Sequence, residues 1–93
     1  MDINEIRNTI RPILKKHDVR RASIFGSWAR HEEKENSDLD IIIEFQGKKT
    51  LLDLAALKMD LEDTLNRDID VITYRSLNSK IRDRVIKEQV AIL

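Results

Sequence analysis

The chain contains no cysteine. Disulfide bridges and zinc–thiolate sites are therefore excluded, and nothing points to an oxidising compartment. Glycine occurs twice and proline once. That leaves little room for linkers, and no repeat or low-complexity segment is present. Aromatic residues are scarce, at one Trp, one Tyr and two Phe. They are not interleaved with basic residues as in single-strand nucleic-acid binders. Charge of either sign is not in excess, with 17 basic and 17 acidic residues. No global field draws the protein to nucleic acid or to a membrane surface. No apolar run approaches the length needed to span a bilayer. Met1-Asp2-Ile3-Asn4 lacks the basic and apolar regions of a secretory leader, so the expected compartment is the cytoplasm.

What is present is a chain of 93 residues, 41% hydrophobic and 37% charged. Such a composition suits one small domain over residues 1–93, with a modest core and a heavily charged surface.

Residues 2–17 carry Ile3, Ile6, Ile10, Ile13 and Leu14 at helical spacing. Asp2 and Glu5 form a capping-box pair at its start. Pro12 predicts a kink or break, because proline removes a helical hydrogen bond and clashes one turn back. His17 at the far end suits the helix dipole. Residues 21–25 read as a first strand, 27–31 as a short helix and 32–36 as a solvated loop. Residues 39–45 read as a second strand, whose continuous apolar run predicts a central position buried on both faces. Residues 46–49 form a turn. Thr50 and Asp53 open a second long helix that ends near Asn66. Its expected apolar face comprises Leu51, Leu52, Leu54, Ala55, Leu57, Leu61 and Leu65. Residues 69–73 form a third strand, with Ile69 and Val71 on one face and Asp70 and Ile72 on the other. A last helix covers 78–89, with Ile81, Val85 and Ile86 inward and Ser76 or Asn78 as its cap. Residues 90–93 read as an edge strand or an apolar tail. Alternating helices and strands imply an α/β (α+β) fold, a small mixed sheet with helices packed on it.

The chemistry concentrates in one stretch. Phe25-Gly26-Ser27 runs from a strand into a tight turn. Gly26 allows close approach of backbone to a ligand, and Ser27 can cap a short helix whose N–H groups face an anion. Asp38 and Asp40, at i and i+2, share one face at the head of the second strand. Asp70 lies on the strand that follows a crossover helix, so that strand is expected beside the second one. Carboxylates packed in this way repel; two unit charges ~5 Å apart cost about 3 kcal/mol at an effective dielectric near 20. A hard divalent cation reverses that sign, and oxygen-only ligands suit Mg²⁺, or Mn²⁺ in its place. Two such ions can clamp the attacking and leaving oxygens of an in-line displacement. The competing reading is that these acids are solvated strand-end and turn residues.

Gly26-Ser27-Trp28-Ala29-Arg30 with Ser37-Asp38-Leu39-Asp40 resembles the signature of the minimal nucleotidyltransferases, within the DNA polymerase β-like superfamily. The resemblance implies that superfamily's fold. It also implies Mg²⁺-dependent transfer of a nucleoside monophosphate from a nucleoside triphosphate to a hydroxyl, with release of pyrophosphate. It assigns Gly26 and Ser27 to the triphosphate, with Arg30 and Ser37 beside them. It assigns Asp38, Asp40 and Asp70 to the metal. Asp68 competes with Asp70 by sharing its strand face; Asp70 is preferred because it sits between Ile69 and Val71.

Small proteins of this kind are commonly paired with a HEPN-family ribonuclease toxin. The resemblance then implies an antitoxin that attaches AMP from ATP to a tyrosine hydroxyl of that toxin. Two other functions stay open: an antitoxin that blocks its partner by binding alone, and nucleotidyl transfer to RNA or a small molecule.

Other residues carry plainer alternatives. Arg30 either contacts phosphates or pairs with Asp38 or Glu35. Trp28 is expected as a packing or interface residue, and His31 as solvent-facing. Two basic clusters, Lys15, Lys16, Arg20 and Arg21, and Lys80, Arg82, Arg84 and Lys87, read as solvated faces.

Overall fold

The protein is described by a computed structural model for residues 2–25 and 39–93, with the side chain of Ile81 also left aside. Gly26, Ser27, Trp28, Arg30, His31, Ser37 and Asp38, with the expected short helix and loop, lie outside the described residues. The described elements run α1 (Ile3–Lys16), β1 (Val19–Phe25), β2 (Leu39–Phe45), α2 (Leu51–Leu65), β3 (Ile69–Thr73), a 3₁₀ turn (Tyr74–Ser76), α3 (Ser79–Glu88) and β4 (Val90–Ala91).

The strands form one mixed sheet in the order β3-β2-β1-β4. β1 runs antiparallel to β2 and to β4, whereas β2 and β3 are parallel. A parallel pair needs a crossover, and α2 supplies it. β2 is thus an interior strand. Leu39, Ile41, Ile42 and Ile43 are all fully buried, as the continuous apolar run required.

One face of the sheet carries the core. Ala22 and Ile24 of β1, Leu39, Ile41 and Ile43 of β2, and Ile69 and Val71 of β3 meet Ile6, Ile10 and Leu14 of α1 and Leu57, Leu61 and Leu65 of α2. β1 starts two residues earlier than its apolar pattern suggested. The register shifts between Val19 and Arg21. This bulge inserts a residue, so Val19 and Ala22 are both buried although three positions apart.

Several local signals act as read. Asp2 Oδ1 accepts from Glu5 N at 2.9 Å. Thr50 and Asp53 form a complete capping box, and α2 ends at Asn66 in the left-handed region (φ 52°). The tail is an edge strand: Val90 and Ala91 pair with Ile24 and Ser23, and Ile92 is buried in the core.

Four expectations change. Of the kink or break expected at Pro12, the break is absent, because α1 runs through it. Pro12 is on the exposed side, and buried Ile6, Ile10 and Leu14 hold both halves of the helix to one core. His17 does more than face the helix dipole, because its Nε2 reaches Asp60 Oδ2 at 3.0 Å and ties α1 to α2. Leu51 and Leu52 are 83% and 81% exposed, since α2 meets the sheet only from Leu54 onward. Ile86 is 45% exposed, whereas Val85 is buried, so α3 presents a narrower inward face.

Candidate nucleotidyl-transfer site

The opposite face of the sheet is built from the alternate residues of the same strands. Period-2 geometry and the observed register define its rows. Phe25 pairs with Asp40, and Asp40 pairs with Asp70. The next row is Ser23, Ile42 and Ile72, followed by Arg21 and Glu44. The strand neighbourhood that the carboxylate argument demanded is therefore present. Asp40 and Asp70 stand side by side on adjacent parallel strands, on one face, with Asp40 half-buried and Asp70 exposed.

Local sequence explains this placement. Asp70 is flanked by Ile69 and Val71, both in the core, so the strand's alternation turns Asp70 to the other side. Leu39 and Ile41 do the same for Asp40. Asp68 precedes β3, where its carbonyl oxygen accepts from Leu39 N at 3.5 Å. It is Asp70, within the strand, that stands opposite Asp40.

The far end of this face is closed by protein. The Tyr74 hydroxyl donates to Gln89 Oε1 at 2.8 Å and lies 3.0 Å from Ser23 Oγ. Ser23 is 2% exposed, so its hydroxyl depends on that partner. The Arg21 guanidinium stacks 4.5 Å from the Tyr74 ring centroid. Arg82 Nη2 donates to the Tyr74 carbonyl at 3.3 Å. Sequence reading passed over Ser23 and Tyr74. The alternation of Ala22, Ser23 and Ile24 signals Ser23, but nothing local points to Tyr74.

The near end is where the remaining candidates attach. Gly26 follows Phe25 in the chain and Asp38 precedes Leu39. The Gly-Ser motif and the first carboxylate thus connect to the row that holds Asp40 and Asp70. Among the described residues no group of three or more His, Cys, Asp or Glu is placed to hold a metal. Asp40 and Asp70 supply two carboxylates on neighbouring strands, an oxygen donor set that suits Mg²⁺. The third expected donor, Asp38, lies outside the described residues. No described helix is long and apolar enough to cross a membrane.

Comparison with known proteins addresses the fold and the family. The family model described as polymerase beta, nucleotidyltransferase matches residues 8–93. A candidate protein adenylyltransferase of Methanocaldococcus jannaschii is 54% identical over 93 residues, 100% of both chains. The solved structure of a candidate minimal nucleotidyltransferase superposes with a TM-score of 0.84 at 35% identity, covering 97% of this chain and 95% of that one. A tri-AMPylated HEPN toxin in complex with its MNT antitoxin, from Shewanella oneidensis, matches with a TM-score of 0.75 at 18% identity. That match covers 97% of this chain and 71% of the other, a likeness of fold. The mixed sheet, its parallel β2–β3 pair and the family match over residues 8–93 together make this chain a member of the polymerase β nucleotidyltransferase family, in its minimal form.

Proposed function

We propose that the protein is a single-domain antitoxin acting in the cytoplasm, which transfers AMP from ATP to a tyrosine hydroxyl of a HEPN-family ribonuclease toxin. The observation that carries this reading is the register of Asp40 against Asp70 on one sheet face. The adenylyltransferase relative and the toxin-bound fold neighbour supply the substrate class.

In this reading Asp38, Asp40 and Asp70 hold Mg²⁺, and Gly26, Ser27, Arg30 and Ser37 seat the triphosphate. When bound, the cation offsets charge on the triphosphate and favours ionisation of the acceptor. The acceptor's oxygen bonds to the α-phosphorus as the bond to the bridging oxygen of pyrophosphate breaks. Asp70, the exposed member of the pair, helps remove the hydroxyl proton. Asp40 is held on an interior strand, and its role is to fix position rather than to move.

The test is transfer of label. The protein, ATP labelled at the α-phosphate, Mg²⁺ and the co-encoded toxin are combined, and label is followed to the toxin. Label on a toxin tyrosine, lost with Asp40→Asn, is the expected result. A wild-type pair that binds without transferring label would sink adenylylation. An Asp40→Asn protein that still neutralises the toxin as wild type does would move the function to binding alone.

A further inference from the structure

Two guanidiniums meet on Tyr74, on the sheet face that carries Asp40 and Asp70. Arg21 lies 4.5 Å from the ring centroid, and Arg82 Nη2 donates to the Tyr74 carbonyl at 3.3 Å. The ring is itself held, through its hydroxyl, by Gln89 and Ser23. Both arginines are exposed. Neither makes an ion pair among the described residues. For Arg21 this runs against its surroundings, because Glu44 stands opposite it in the β1–β2 register. Glu44 pairs instead with Arg20, at 3.3 Å, and Arg21 is left to the ring. An arginine stacked on an aromatic ring has given up side-chain freedom, and its planar fork suits a carboxylate. The neighbouring sequence extends this positive end. Residues 74–88 hold five bases and two acids, in a chain whose bases and acids balance at 17 each.

We propose that Arg21 and Arg82 dock an acidic side chain of the protein that receives the nucleotide. This rests on the transferase reading above and adds the surface that recognises the acceptor. Arg21 shares a row with Glu44, four residues along β2 from Asp40, or ~13 Å at about 3.3 Å per residue. An acceptor hydroxyl at the Asp40–Asp70 row therefore comes with a carboxylate about that far away, along the strand direction. The near end, where Gly26 and Asp38 attach, is assigned to the triphosphate, so the acceptor approaches over the rest of the face. A nucleic-acid strand is the poorer occupant. Its successive phosphates, laid along these rows, would also meet the Glu44 and Asp70 carboxylates. A protein acceptor commits one or two carboxylates and sets them on the arginines alone.

The experiment is a kinetic series with the co-encoded toxin, Mg²⁺ and ATP labelled at the α-phosphate, with toxin binding measured in parallel by calorimetry. Arg21→Gln/Arg82→Gln is expected to raise KM and Kd for the toxin by about tenfold, with KM for ATP and kcat at saturating toxin held within about twofold. Arg21→Glu/Arg82→Glu is expected to raise them further, with an unchanged circular dichroism spectrum. Added salt should weaken toxin binding by wild type more than by the Gln variant. Lys15→Glu/Lys58→Glu makes the same change of net charge as the Glu variant, at exposed positions of α1 and α2, and should leave both toxin constants at wild-type values. Toxin constants unmoved by the arginine variants overturn the proposal and leave the transferase reading intact. An equal loss in the lysine control overturns it too, since the effect would then be one of net charge. So does a wild-type chain that does not bind the toxin. Toxin bound without transfer of label sinks the transferase reading instead, and the Kd series alone then decides the docking. Arginine variants that lose a labelled poly(U) strand bound by wild type, yet keep its toxin constants, overturn the proposal in favour of nucleic acid.

Discussion

Ile41 and Asp40 are neighbours in sequence and lie on opposite faces of the sheet. Ile41 is fully buried beneath α1 and α2, and Asp40 stands half-buried beside Asp70. The core face is apolar except for Thr73, which pairs with Ile43 at one end, and its role is to hold β1, β2 and β3 in one register. The other face carries a carboxylate row at one end and a hydrogen-bonded Tyr74 at the other. In the proposed function, one set of strands therefore supports folding through one set of residues and chemistry through the residues between them. Substitutions should separate the two tasks according to face.

The largest effect is expected on the core side. Ile41→Ala removes a fully buried branched side chain and should cost about 2–5 kcal/mol. In a small domain worth about 5–15 kcal/mol, urea unfolding should register it plainly. Asp70→Asn, one face away, should lower adenylyl transfer by about a hundredfold or more, while unfolding shifts by less than ~0.5 kcal/mol. If the two variants gave the same loss of stability, the division between faces would fail.

Tyr74→Phe sharpens the comparison, because it removes a hydroxyl from the chemical face at its closed end. Loss of its bond to Gln89, and of the neighbour that satisfies buried Ser23, should cost about 1 kcal/mol of unfolding free energy. Thr50→Ala, away from both faces, should cost a similar ~1 kcal/mol by breaking the α2 capping box.

The smallest effect is electrostatic. The hydrogen bond from His17, with the nearby Lys16 ammonium, holds the Asp60 carboxyl below its usual pKa. A carboxyl depressed in the folded state stabilises above its unfolded pKa of ~3.9, and that gain is lost as pH falls through the folded value. Asp60→Asn should therefore flatten the acid limb of the stability profile and leave its alkaline limb unchanged, as read by thermal unfolding across pH.

The legible parts of the fold were those written locally. β2 and β3 follow from alternation and apolar runs. Thr50 and Asp53 bracket the start of α2, and Asn66 ends it at a left-handed backbone. The neighbourhood of Asp40 and Asp70 was legible because a parallel pair joined by one helix has few alternatives. Features that depend on distant partners were not. Nothing within α1 announces that His17 will meet Asp60. Pro12 breaks a helix considered alone, yet α1 is held by three buried residues on its other side. Leu51 and Leu52 look like core in the sequence, and only the position of α2 on the sheet leaves them outside. Tyr74 gave no signal, since its meaning lies in Ser23 and Gln89, far from it along the chain.

The register between β2 and β3 has one more consequence. A slip of a single residue would turn Val71 toward Asp40 and drive Asp70 into the apolar layer beneath α2. Misalignment would thus bury a charge and dismantle the carboxylate row in the same movement. A mispaired chain would therefore lose its packing and the Asp40–Asp70 pairing together. Divalent-cation affinity should then rise together with the last long-range strand pairing during refolding, reporting on the backbone's alignment.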